Sequence, residues 1–168
     1  MARSAAARGE VRTAKEVAID WDGVTRALVR PAADASAYLD TQTGEVVHLT
    51  RGWSDDWGFS EADLAEALAS GRLVAIVPVP PETQLGWRLA FVAALEDDWP
   101  KDALALALAS PSPLAAFDAS LGRYPRERRY WLACHDNRIQ AVLRDWLDAN
   151  DVVPLNEPPP ARGAADPA

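Results

Sequence analysis

The chain has 168 residues, 49% of them apolar, with a formal net charge of −8, one Cys and seven Trp. That length and apolar content fit one domain with a sizeable core. The acidity argues against non-specific coating of nucleic acid, because phosphate binding rests on Lys and Arg, and the single Cys134 excludes an internal disulfide.

Residues 1–15 are Arg-rich and lack the apolar stretch of a secretory signal, so a disordered tail is expected there. A helix is predicted over 16–29, with Ile19, Val24 and Leu28 on one side and Pro31 as its stop. The stretch AYLDTQTGEVVHL, 37–49, reads as a β-hairpin. Gly44 falls where the loop needs a positive φ, and Asp40 can accept backbone N–H groups two residues on. The implied register faces 39 with 46, 38 with 47 and 37 with 48. Asp40 and Glu45 then lie at a hydrated tip, with His48 on the opposite face, so the three do not converge on one atom.

The loop RGWSDDWGF, 51–59, leads into a helix capped by Ser60 and Asp63, with Leu64 and Leu68 inward and Gly71 in the left-handed position after it. LVAIVPVP reads as a central strand, 73–77, ending at Pro78. From Pro81 the pattern is helical to the end. One helix is predicted over 83–97 with Leu85, Leu89, Val92 and Leu95 inward. The Leu/Ala run after Pro100 reads as a second, because Ala is a strong helix former and a weak strand former. A short third carries Leu114, Phe117 and Leu121 in register. The last, 125–149, places Trp131, His135, Ile139, Val142 and Trp146 down one face, with Asn150 as left-handed cap. Residues 155–168, with four Pro and no large apolar residue after Leu155, are expected to form a disordered tail. The expected organisation is therefore a single domain over 16–154 between two tails. Its fold class is α+β, with a small, mainly antiparallel sheet (hairpin 37–50 plus strand 73–77) covered by a helical C-terminal half.

Several short runs taken together resemble a known family. They are Tyr38-Leu39-Asp40 with Thr43-Gly44-Glu45-Val46, then Val79-Pro80 and Phe91. Phe117 with Leu121, Trp131 and Trp146-Leu147 complete the set. In order and spacing, over roughly 20–152, they resemble uncharacterised protein family 0158, a bacterial family. The resemblance implies a shared fold and a bacterial cytoplasmic setting, and it brings no catalytic residues. It also implies a basic neighbourhood around Phe117, where this chain has Ala116 and Asp118.

Two patches carry candidate chemistry. Arg123, Arg126, Arg128 and Arg129 surround Glu127 and interleave with Tyr124, Tyr130 and Trp131. Arginine forks beside aromatic rings at a helix start suit an anionic partner. The acids of 53–66 are the opposite patch, without a base among them. Cys134 and His135 are adjacent on a helix and point about 100° apart, so they cannot pair as nucleophile and base. Two His rule out a multi-histidine metal site, and no phosphate loop, zinc spacing or nucleophile elbow appears. The leading reading is a non-enzymatic domain that binds a protein or nucleic-acid partner through Arg123, Arg126, Arg128, Arg129 and Tyr130. It needs no cofactor, metal or membrane. The alternative is a small metal-assisted hydrolase using the acids near the hairpin and of the 53–66 loop.

Overall fold

A computed structural model describes residues 14–50 and 60–160. The elements in order are β1 (Lys15–Val17), α1 (Trp21–Val29), β2 (Ala35–Asp40), β3 (Val46–Thr50), α2 (Glu61–Ala69), β4 (Leu73–Ile76), α3 (Pro81–Ala93), α4 (Asp98–Leu108), α5 (Pro113–Leu121), α6 (Pro125–Ala149) and β5 (Val152–Pro154). The class is α+β, as expected: a three-stranded antiparallel sheet in the order β3-β2-β4, followed by the mainly helical C-terminal half, α3 to α6.

The hairpin has the predicted register, with Leu39 facing Val46, Tyr38 facing Val47 and Ala37 facing His48. Gly44 takes φ +78°, and a β-carbon there would collide with the Ala18 carbonyl, so both backbone conformation and space demand glycine. The Ser60–Asp63 capping box forms in full, and Gly71 takes φ +70° after α2. The last helix keeps its expected limits.

Other expectations need correcting. The first helix begins at Trp21, not 16. The Asp20 carboxylate accepts the Gly23 N–H and starts it there. The residues before it pair in parallel with β5, Lys15 opposite Val152 and Val17 opposite Pro154, so the C-terminal half is not helical throughout. Packed chain also continues beyond 155. Leu155 N–H donates to Val17 O, and the Asn156 side chain accepts from Ile19 N–H and donates to Ile19 O, at 2.7 and 2.9 Å. The left-handed residue after α6 is Asp151 (φ 53°), whereas Asn150 turns its amide back onto Trp146 O.

Strand β4 lies at an edge of the sheet and not at its centre. Its apolar run answers to the helices packed on it, and Trp146 of α6 donates its indole N–H to Ala75 O on the outer side. Leu68 and Leu89 are exposed, because the buried positions of their helices are Ala67 in α2 and Gln84, Arg88, Phe91 and Val92 in α3.

The buried residues form two clusters. One joins Ile19, Val24, Leu28, Leu39, Val74 and Ile76 to Ile139, Leu143 and Leu147 of α6. The other joins Phe91, Leu95, Leu104, Phe117 and Leu121 to Trp131, also of α6. Helix α6 thus serves both, and Trp87 packs against both. Among the described residues no helix is long and apolar enough to cross a membrane.

Candidate functional site

The start of α6 positions the predicted arginines. Pro125 opens the helix without an N–H of its own, and the preceding Tyr124 makes no side-chain cap, so the Arg126 and Glu127 N–H groups stay open to an external acceptor. Arg123, Arg126, Arg128 and Arg129 are all exposed. None has an ion pair among the described residues. Tyr130 is 53% exposed. Helical spacing puts Arg126, Arg129 and Tyr130 on one side, and turns Arg128 away from them. The structure therefore brings three of the five predicted residues onto one surface. Cys134, one turn on from Tyr130, raises the pKa of the Tyr130 phenol above its usual value.

Behind this surface lies a group that the sequence reading passed over. Arg88 of α3 is buried, with only 7% of its side chain exposed. Its guanidinium stacks over the Phe117 and Trp131 rings, at 5.4 and 5.2 Å from their centroids. One nitrogen donates to Gln84 O, and another reaches the half-exposed Asp118 carboxylate at 3.2 Å. Its Nε is buried without a hydrogen-bond partner among the described residues. Phe91 meets Phe117, Tyr130 and Trp131, linking the aromatic seam to the arginine surface.

His135 closes the seam against Trp131 and Trp87. Burial pushes its pKa below the ordinary histidine value, and Arg88 pushes it the same way, while Asp136 and Asp118 oppose them. Asp118 is thus committed to Arg88, which fits the acidic residue found where the resemblance implies a basic one. A signal for the seam did exist. Gln84, Arg88, Phe91 and Leu95 step by four, three and four, so the polar pair already sat in a helical stripe.

The hairpin acids are placed differently from expectation. Asp40 is buried, not hydrated: its carboxylate accepts Gln42 N–H at 2.8 Å and pairs with Arg72 at 3.1 Å. Glu45 and His48 are exposed. Across the described residues no three His, Cys, Asp or Glu groups gather as metal ligands would. Residues 51–59, which hold much of the acidic patch, lie outside the described residues. Two hollows also occur. One, of about 270 Å³, is walled by Ala27, Ala35, Ala37, Ile76 and Pro78, with His48 in its lining. An open apolar groove of about 530 Å³ runs between Pro81 and Leu85 on one side and Pro113 and Leu114 on the other. Neither hollow is lined by a Lys or Arg.

Comparison with known proteins finds a curated relative. The UPF0158 protein PA5073 of Pseudomonas aeruginosa is 31% identical to this chain over 140 residues, which is 83% of this chain and 88% of that protein. No family model matches the chain. No solved structure matches it significantly.

Proposed function

The chain belongs to the uncharacterised protein family UPF0158, and from that premise we propose that it is a non-enzymatic interaction domain binding an anionic macromolecule at the start of α6. One observation carries the reading: Arg123, Arg126, Arg128 and Arg129 stand exposed, without ion pairs among the described residues, in a chain with 25 acids against 17 Lys and Arg. A surplus of acid would ordinarily engage such cations. The overall charge of −8 repels polyanions at long range, but screening limits that repulsion to about 8 Å at physiological salt. A local cluster can therefore act alone.

Of the two partner classes, single-stranded nucleic acid uses both parts of the surface, phosphates on the guanidinium groups and a base on the exposed Tyr130 ring. The proposal includes a bacterial cytoplasmic setting, for which the Pseudomonas relative is the support. The hydrolase reading loses Asp40 as a free hairpin acid, because Asp40 is already engaged by Arg72 and Gln42.

Fluorescence anisotropy with a labelled single-stranded oligoribonucleotide tests the reading. Binding at low salt is expected to weaken as salt rises, as phosphate contacts require. The triple variant R126E/R128E/R129E should abolish it, and Tyr130→Ala should weaken it by about 1–3 kcal/mol. A triple variant that binds like wild type removes this surface as the interface. A wild-type protein that never binds the oligonucleotide removes the nucleic-acid partner.

A further inference from the structure

The two edges of the sheet are treated differently. On the β4 side, Trp146 occupies the outward Ala75 carbonyl. On the β3 side, the tip is closed where Asp20 N–H donates to Gly44 O. Beyond the tip the edge is open. The ladder starts with Asp40 N–H to Glu45 O, so the residues of β3 alternate from there. Val47 and Leu49 aim their N–H and C=O groups at β2, while Val46, His48 and Thr50 aim theirs away from it. None of these three has a backbone partner among the described residues beyond β2.

An open edge invites another strand unless something blocks it. Natural blocks are Lys, Pro, bulges or very short strands, and Val46–Thr50 has no charge, no Pro and no break in register. Its sequence is also self-complementary. Laid antiparallel on a second copy about His48, it sets His48 opposite His48 and Val46 opposite Thr50. All of these positions have outward-facing groups, so each pair can exchange N–H···O bonds. The same register brings Val47 of one copy beside Leu49 of the other on the face away from α1, burying two half-exposed aliphatic residues. No like charges meet in the strand, although each chain carries −8 overall.

We infer that the β3 edge is a self-association surface, where a second copy of this chain pairs antiparallel about His48 and extends the sheet across a two-fold axis. Only a five-residue edge is shared, so the contact falls below the roughly 1,200 Å² of a standard interface and the dimer is concentration-dependent.

Sedimentation equilibrium of the full chain over a wide concentration range tests this. The expected average mass rises from monomer towards twice that value. His48→Pro removes an edge N–H that β2 does not use, so the hairpin ladder is kept, and the dissociation constant should rise at least about tenfold. Helical circular dichroism checks that this variant is folded. Amide exchange on wild-type protein gives a second readout if the variant does not fold: the N–H groups of 46, 48 and 50 should exchange more slowly in concentrated than in dilute solution. A monomer at every concentration overturns the inference. So does association undiminished in folded His48→Pro, or exchange at those amides that ignores concentration.

Discussion

Among the described residues, the sheet has an ion pair between Asp40 and Arg72 and the helical half one between Arg88 and Asp118, and the two are inverted. In the sheet the acid is inside: Asp40 has 8% of its side chain exposed and Arg72 has 42%. In the helical half the base is inside: Arg88 is buried and Asp118 half-exposed. Asp40 is held by its own turn, with the Gln42 and Gly44 N–H groups folded back on residue 40. Arg88 is held by aromatic faces contributed by α5 and α6. A buried carboxylate needs donors, which a tight turn supplies locally. A buried guanidinium has its donors built in and can spread its charge over ring faces, so its site is assembled from distant segments.

The largest expected effect tests whether the helical half depends on its rings. Phe117→Ala should cost about 3–5 kcal/mol in denaturant unfolding, as a single transition, because α6 passes through both clusters. Separate transitions for the two clusters would show that they fold independently. Next come the exposed partners of the ion pairs. Removing one leaves a buried charge short of a partner, so Arg72→Ala and Asp118→Ala should each cost about 1–3 kcal/mol by the same measurement.

Arg88→Met sharpens the contrast. It removes the buried charge itself and leaves a carboxylate that water can reach, so stability should change by less than about 1 kcal/mol or rise. A loss larger than that of Asp118→Ala would mean that the stacking outweighs the desolvation. The smallest effect is on pH dependence. The folded pKa of His135 is lowered, so between that value and the unfolded value of about 6.5 the unfolded chain holds a proton that the folded chain does not. Stability therefore falls as pH drops below about 6.5 and levels off beneath the folded pKa. His135→Gln should flatten that part of the curve, read from chemical denaturation at successive pH values.

The same inversion explains what was legible in the sequence. Hairpin register, the Ser60–Asp63 cap and the limits of α6 follow from turn chemistry and periodicity within a few residues of each element. Arg88 kept the helical period but broke the expectation that an inward position is apolar. Leu89 looked like part of the buried stripe because it is apolar, yet it is exposed, and Gln84 and Arg88 took inward positions beside the partly buried Leu85. Gln84 does so by donating to Val29 O and Val79 O, acceptors that only the folded chain brings near. The pairing of β1 with β5 was hidden for a related reason, since a three-residue strand has no period to detect and its partner lies at the far end of the chain. At the α6 surface the residue types were readable, and so was the division of Arg126, Arg129 and Tyr130 from Arg128, because helical spacing alone makes it.

The parallel pairing of β1 and β5 also fixes how the molecule meets a pulling force. Tension drawn outward through Lys15 and Pro154 drags the two strands along each other in opposite directions. The ladder bonds and the double grip of Asn156 on Ile19 then share the strain at once, instead of opening one after another. Mechanically, these few residues act as a latch in shear, and the rest of the domain feels no load until they give way.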